Sequence, residues 1–136
     1  HMTEFRYLEV FSMATDKLLF GCGAGPVYVK QGFSFYTVET HIRHLDEIAI
    51  GEPIYVETRL INHDTKKLHL YHDMYGGKEK RHLASGEHML LHVDLNAGRA
   101  APMPDHLTQA FAHIANAQSE LPLPDAAGAA IGMKRK

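Results

Sequence analysis

Glu39 and His41 are the side chains whose types and spacing best suit acid–base chemistry. They lie two residues apart in a stretch of alternating polarity, so both are expected to project on the same side of a strand. A carboxylate and an imidazole placed in this way can share a proton and hold a water molecule for general base catalysis near neutral pH. The alternative is an exposed strand face on which both side chains contact only solvent.

Glu87 is a second candidate for a functional carboxylate, because its position in the alternating pattern of its strand predicts that it is buried. It shares that parity with four apolar residues, Leu83, Met89, Leu91 and Val93. A buried carboxylate needs a partner, and we expect His72, on the apolar face of the preceding strand, to supply it. A bulge at Gly86 would instead turn Glu87 outward, where it would be a solvated residue.

Eleven histidines in a chain of 136 residues raise the question of a metal site. His69 and His72 have opposite strand parity, so they are expected to face away from each other. His82, His88 and His92 follow on the next strand without the close spacing of a zinc site. We therefore expect no bound metal, and instead histidines scattered over the surface.

The element before these residues is a predicted helix from Thr3 to Phe20. Its apolar stripe recurs every three or four residues and consists of Tyr7, Leu8, Phe11, Ala14, Thr15, Leu18 and Leu19. Thr3 can cap the start of this helix, and Glu4 lies where the positive end of the helix dipole favours an anion. Gly21 or Gly23 can provide the left-handed residue that ends it, and a loop through Gly25 and Pro26 should follow.

Four segments of alternating polarity predict an antiparallel meander of strands. They cover residues 35–43, 54–60, 68–74 and 82–95, with turns between them. On the first strand one face should consist of Tyr36, Val38, Thr40 and Ile42, and the other of Thr37, Glu39, His41 and Arg43. A helix wrapped by a curled sheet usually has a strand before it as well. We therefore expect that strand to be missing from the given chain, or its place to be covered by another subunit.

The end of the chain is predicted to hold one more helix and a tail. Asp105 can cap a helix near residues 105–118, in which four apolar residues, Leu107, Phe111, Ile114 and Ala115, keep helical spacing. The proline, glycine and alanine residues after Leu121 predict an extended or mobile tail. Residues 1–136 should therefore form a single α+β domain.

Composition excludes several classes of function. The formal net charge of −2 gives no basic surplus for nucleic-acid binding, and no run of residues is apolar enough to cross a membrane. Cys22 is the only cysteine, so no disulfide can form within the chain. We expect a cytoplasmic protein that binds neither nucleic acid nor membrane.

Five segments together resemble the hot-dog-fold thioesterases of the 4-hydroxybenzoyl-CoA thioesterase class, and within them the betainyl-CoA thioesterase branch of carnitine breakdown. They are FRYLEVFSMATDKLL, SFYTVETHIRHLDEIAIGEPIYVETRL, HDTKKLHLYHDMY, HMLLHVDLNAGRAAPMP and AGAAIGMKRK. Members of that family usually carry an Asp-x-Asn-Gly-His-Met motif directly before the helix. His1 and Met2 match its last two residues, so the resemblance makes His1 a candidate catalytic residue and leaves the acidic one outside the given chain.

The resemblance implies a hot-dog fold, a homodimer or homotetramer, and hydrolysis of a small acyl-CoA thioester. It places Glu39 and Thr40 on a strand close to the partner subunit, and it needs no cofactor, since CoA is part of the substrate. Backbone N–H groups of Thr3, Glu4 and Phe5 at the helix start could polarise the thioester carbonyl, unless this is an ordinary capped helix end. Glu4 is therefore a further candidate catalytic residue, and Thr3, Phe5 and Thr40 are candidates for substrate binding.

Basic residues near strand ends are candidates for the phosphates of CoA. Lys66, Lys67 and Arg99 lie in turns, whereas the cluster Lys78, Lys80 and Arg81 at a hairpin tip should be solvated. Two other functions stay open, namely an acyl-CoA-binding module without catalysis and a hot-dog hydratase or dehydratase.

Overall fold

The computed structural model describes residues 2–133, and every structural statement below concerns this part of the chain. It contains three helices, α1 (Glu4–Gly21), α2 (Pro26–Lys30) and α3 (Asp105–Ala117). It also contains five strands, β1 (Phe33–His44), β2 (Ile54–His63), β3 (Lys67–Gly76), β4 (Arg81–Asp94) and β5 (Arg99–Ala100). The predicted α+β class is correct. None of the described helices is long and apolar enough to cross a membrane.

The strands form one antiparallel sheet in the order β1, β4, β3, β2, and the short β5 pairs with the end of β4. The sheet is not closed. β1 and β2 are therefore its edges, and β1 leaves one side of a strand of 12 residues unpaired among the described residues. The chain crosses from β1 at one edge to β2 at the other, because β3 and β4 fill the space between them.

Helix α1 packs on one face of the sheet, which we call the inner face. Its buried residues are spaced by four, as the predicted stripe requires, and they are Tyr7, Phe11, Thr15 and Leu19. The first half of α1 packs with Met74 and Leu83, and its end packs with the cluster that includes Leu68, Leu90 and Phe111. Leu8, predicted to lie on the stripe, is 42% exposed.

The end of α1 is a Schellman motif centred on Gly23. Gly23 has a φ of +99°, the Ala24 N–H donates to the Leu19 carbonyl, and the Gly23 N–H donates to the Phe20 carbonyl. The loop predicted through Gly25 and Pro26 is wrong in part, because Pro26 begins the short helix α2. Proline suits this first helical position, where its missing N–H has no helical partner in any case.

A bulge in β1 at Val38 corrects the predicted faces of this strand. Thr37 pairs with Leu90 and Glu39 pairs with Met89, so Val38 has no partner on β4. An extra residue reverses the alternation that follows it. Phe35 therefore packs on the core before the bulge and Ile42 packs on it after the bulge, while Tyr36 and Val38 are exposed.

The bulge in β4 lies at Leu83, not at the predicted Gly86. The register between β3 and β4 shifts there, whereas Gly86 pairs in register with Ile42 and His72. After this bulge, the even-numbered residues of β4 from Ala84 to His92 face α1, contrary to the prediction for Met89, Leu91 and Val93. At Gly86 the aromatic ring of Phe11 lies so close that an added Cβ would come within 2.6 Å of it.

Three histidines on the inner face are buried, which corrects the expectation of scattered surface histidines. The His72 ring stacks on Phe11 and is bonded at both nitrogens, by Thr15 at Nε2 and by Thr58 at Nδ1, each at 2.8 Å. His88 contacts the same phenylalanine ring, and His92 bonds the Tyr28 hydroxyl at 2.6 Å. Tertiary hydrogen bonds thus satisfy both nitrogens of His72 and of His92, which would otherwise destabilise the core.

The residues after α3 cross the opposite face of the sheet, which we call the outer face. Arg59 on β2 donates to the carbonyls of Leu121 and Pro122, and the Gly128 N–H donates to Glu87 on β4 at 2.7 Å. We call residues 121–133 the strap, because they run from one edge of the sheet towards the other. Helix α3 begins where predicted, but its N-cap is Pro104 and not Asp105.

Burial lowers the pKa of His72 from 6.5 to about 3, with a smaller effect from His88. Between these two pH values the unfolded chain binds a proton at His72 that the folded chain does not. The contribution of the neutral His72 ring to the free energy of unfolding is therefore fully present above pH 6.5. It falls by about 1.4 kcal/mol per pH unit as the pH drops towards 3. We expect His72→Gln to reduce the slope of unfolding free energy against pH, measured by urea denaturation between those limits.

The exposed His113 on α3 supplies the matched control, since His113→Gln removes an imidazole that makes no such contact. This variant should leave the slope unchanged. An unchanged slope in His72→Gln would contradict the assignment of the acid sensitivity to the buried ring.

Candidate active site

The start of α1 presents backbone donors that no side chain caps. Thr3 is the N-cap residue, but its side chain makes no capping hydrogen bond. The N–H groups of Thr3, Glu4 and Phe5 precede the first helical hydrogen bonds, so they remain available to an acceptor and the helix dipole adds to their effect. The ordinary capped end considered for this helix is therefore absent, and the opening can accept a carbonyl oxygen or an anion.

A groove of about 370 Å³ runs beside this helix start. It is lined by Met2, Glu4, Tyr7, His44, Leu45, Asp46 and Glu47. The Tyr7 ring is buried edge-on against His44, with ring centres 4.8 Å apart. Burial raises the pKa of the Tyr7 hydroxyl, and the nearby carboxylates of Glu47 and Asp46 raise it further. The Tyr7 hydroxyl therefore remains protonated where the groove can use a donor.

Asp46 is fixed by Arg81, whose guanidinium donates to its carboxylate at 2.7 Å. The hydrogen bond from Arg81, with a second from the Glu47 N–H, holds the pKa of Asp46 below its usual range. The prediction that Arg81 belongs to a solvated cluster is wrong in this respect, because it ties the tip of the β3–β4 hairpin to the loop after β1. Lys78 and Lys80 are exposed, as predicted.

Glu39 and His41 lie together on the outer face, as their spacing predicts. They line a pocket of about 210 Å³ that also includes His69, Glu87 and Met89. These residues come from three adjacent strands, since Glu39 pairs with Met89 and Met89 pairs with His69. Glu39 is exposed, so the alternative of a face that contacts solvent stays open, and the catalytic role of Glu39 and His41 stays a prediction.

The partner of Glu87 is His69, not the predicted His72. The Glu87 carboxylate lies 2.5 Å from His69 Nε2, and it also accepts the N–H of Gly128. His72 faces the other side of the sheet, because adjacent residues of a strand alternate in direction and Glu87 shares the outer face with His69. The sequence held no signal for this pair, because only the register between β3 and β4 decides which residues of the two strands share a face.

Thr40 does not join Glu39 and His41. It faces the inner side, where its hydroxyl is 3.0 Å from His88 Nδ1. His88 is 3% exposed, its Nε2 has no partner among the described residues, and burial lowers its pKa. Thr40 therefore satisfies one nitrogen of a buried imidazole, which is a structural contact that sequence reasoning did not foresee.

Lys66, Lys67 and Arg99 lie at the other end of α1 from its open start. Their strand ends lie next to Leu68 and Leu90, which pack on the last turn of the helix. Eighteen helical residues span about 27 Å, so these cations and the first turn of α1 do not share a pocket within one chain. Lys67 is also close to Asp64, with Nζ and Oδ2 3.8 Å apart. Their role in phosphate binding stays a prediction.

The predicted catalytic residues thus occupy two separate places. Glu4, with Thr3 and the exposed Phe5, is at the start of α1, whereas Glu39 and His41 are on the outer face. His1 lies outside the described residues. Within residues 2–133 no group of three histidine, cysteine or acidic side chains could hold a metal ion. The first place can polarise a carbonyl group, and the second can hold a proton or a cation.

Comparison with known proteins places this geometry in a family. Residues 1–111 match the family model of the thioesterase-like superfamily. A protein of Agrobacterium fabrum named L-carnitine dehydrogenase/betainyl-CoA thioesterase is 52% identical over 131 residues, which are 96% of this chain and 27% of that protein. The chain therefore spans little more than a quarter of this relative.

A second relative is covered much more fully. A betainyl-CoA thioesterase of Pseudomonas aeruginosa is 37% identical over 134 residues, which are 98% of this chain and 84% of that protein. Among solved structures, a Staphylococcus aureus protein in complex with CoA has a TM-score of 0.92 at 21% identity, covering 98% of this chain and 85% of that one. This likeness supports the hot-dog fold. The resemblance found in the sequence is confirmed, and the chain belongs to the thioesterase-like superfamily.

Proposed function

We propose that this chain hydrolyses a small acyl-CoA thioester to the free acid and CoA, with betainyl-CoA as its substrate. One observation carries the proposal. The Agrobacterium fabrum relative bears the names of two activities, whereas the Pseudomonas aeruginosa relative bears only the thioesterase name and is covered over 84% of its length. The segment that these proteins share with this chain therefore corresponds to the thioesterase activity.

In the proposed reaction the start of α1 holds the carbonyl oxygen of the thioester. The N–H groups of Glu4 and Phe5 would stabilise the negative charge that develops on this oxygen when water attacks the carbonyl carbon. Glu4 takes a proton from the attacking water. The carbon–sulfur bond then breaks, and the CoA thiolate leaves and is protonated. CoA enters as part of the substrate, so no further cofactor is needed.

A self-assembled oligomer, either a homodimer or a homotetramer, is part of the proposal. The free edge of β1 supports it, because an unpaired strand of this length is a template for pairing with a second copy. Tyr36 and Val38 on this strand are 53% and 56% exposed. A second copy would cover both side chains and would complete the groove beside α1. We also place the protein in the cytoplasm, for which the single reduced cysteine is suitable.

Release of CoA from betainyl-CoA, followed with a thiol reagent, tests the activity and the role of the helix start together. Phe5→Pro removes one backbone N–H at a position where proline is tolerated, and we expect it to lower kcat about 100-fold or more. Phe5→Ala keeps the N–H and loses the same exposed side chain, so its kcat should stay near that of the unmodified protein. Equal losses in the two variants would contradict the role of the backbone donor.

Measured beside thiol release, substrate binding and the absorbance of an enoyl-CoA separate the proposed function from its alternatives. Binding of betainyl-CoA without thiol release would identify a module without catalysis. Loss of the absorbance of an enoyl-CoA, again without thiol release, would identify a hydratase. Either result in the full natural protein would overturn the thioesterase proposal.

Glu4 and Glu39 can be compared directly, because both are accessible carboxylates on different faces of the molecule. Glu4→Gln should lower kcat about 100-fold if Glu4 is the general base. Glu39→Gln should leave kcat nearly unchanged within this mechanism. A loss confined to Glu39→Gln would instead assign the base to the outer face and would require a second copy to bring its α1 start there.

Light scattering tests the oligomer, which should have two or four times the 15.2 kDa mass of the chain. The double variant Tyr36→Lys and Val38→Lys places positive charges along a symmetric β1 edge and should shift the protein towards monomer. Tyr55→Lys, on the other edge strand β2, is the control that should keep the mass. A monomer in the unmodified protein, or equal dissociation by Tyr55→Lys, would exclude assembly through β1.

A further inference from the structure

The pocket on the outer face has no role in the reaction proposed above, because the sheet separates it from the start of α1. Its volume of about 210 Å³ is space for about seven water molecules. Three strands form its floor, and Gly128 and Ala129 of the strap form a wall. It is therefore a half-open pocket in which the strap provides one wall.

The charge of this pocket favours a cation. Its lining includes the carboxylates of Glu39 and Glu87 and the imidazoles of three histidines, and it includes no lysine or arginine. The nearby Arg59 is engaged by carbonyls of the strap. A positive ligand would therefore meet two carboxylates and no lysine or arginine within the pocket, and His69 would compete with it for Glu87 only when the imidazole is protonated.

Glu87 is held in a fixed position for such a ligand. Its Oε2 atom accepts the Gly128 N–H at 2.7 Å and lies 2.5 Å from His69 Nε2. Only 12% of its side chain is exposed. Both contacts use the same oxygen, so Oε1 retains its capacity to meet a cation. Because few waters reach this carboxylate, an opposite charge placed beside it is screened less than on the open surface.

The remaining lining narrows the class of ligand. Met89 contributes a thioether and Ala129 a methyl group, which suit methyl or methylene groups rather than a hydrated ion. A metal ion fits poorly, because the described residues offer no group of three ligands around one point. The lining thus combines two anionic groups with apolar contacts in a small volume.

We propose that the outer-face pocket binds a small alkylammonium ion, with its charge towards Glu39 and Glu87 and its alkyl groups towards Met89 and Ala129. This site is additional to the thioesterase site and does not depend on it. Protonated amines and quaternary ammonium compounds share the required chemistry, and the test below distinguishes them.

Nuclear magnetic resonance of the ¹⁵N-labelled chain provides the test, since the Gly128 amide is bonded to Glu87 and reports on the pocket. Tetramethylammonium and methylammonium are titrated separately, with tert-butanol as a neutral molecule of similar size. We expect saturable shifts of the Gly128 and Ala129 amide signals with at least one cation and none with tert-butanol. Preference for tetramethylammonium identifies a quaternary ligand, and preference for methylammonium identifies a protonated amine.

Variants connect the binding to the two carboxylates. Glu87→Gln keeps an acceptor for the Gly128 N–H and Glu39→Gln changes an exposed side chain, and each should weaken binding about tenfold. Glu57→Gln removes the same charge from the exposed outer side of β2, away from the pocket lining, and should leave binding unchanged. Absence of saturable shifts, an equal response to tert-butanol, or equal weakening by Glu57→Gln would overturn the proposal. Activity is not measured here, so failure of the thioesterase assay has no effect on this result.

Discussion

The contact between Phe11 of α1 and the middle of the sheet is the constraint on which the rest of the structure depends. The phenylalanine ring stacks on His72, contacts His88 and lies over Gly86, where no Cβ could fit without a shift. Close packing of this kind fixes the distance of the helix from the sheet and its rotation about its own axis. Phe11 lies near the middle of α1, so this contact also determines where the helix start and its free donors lie.

The same contact requires two imidazole rings to remain uncharged in the core. Hydrogen bonds with threonine hydroxyls satisfy both nitrogens of His72, one as donor and one as acceptor, and one nitrogen of His88. Burial lowers the pKa of each ring, since a charged imidazole would have to leave water without a compensating anion. The titratable groups of the inner face are therefore buried in the core. The accessible ones lie at the helix start and on the outer face.

The strap gives the outer face its own structure. Arg59 holds the beginning of the strap at one edge, and Glu87 holds Gly128 near the other, so a carboxylate of the sheet is partly enclosed. Gln118 joins the same arrangement at the β2 edge, where its amide side chain accepts the Leu60 N–H and donates to the Thr58 carbonyl. An edge strand that could pair with another chain is thus partly satisfied from within.

The sequence alone determined the two longer helices, the four longer strands and the fold class, but not α2 or β5. The spacing of Tyr7, Phe11, Thr15 and Leu19 specified a helix and its buried face, and alternation specified four strands, because both periods are local properties of the backbone. The tertiary structure decided which residues meet. One extra residue at Val38 and another at Leu83 reversed the faces that follow, and bulges leave no periodic signal of their own. Strand register, which depends on the whole packed sheet, then brought Glu87 into contact with His69 and placed both on the face opposite the start of α1.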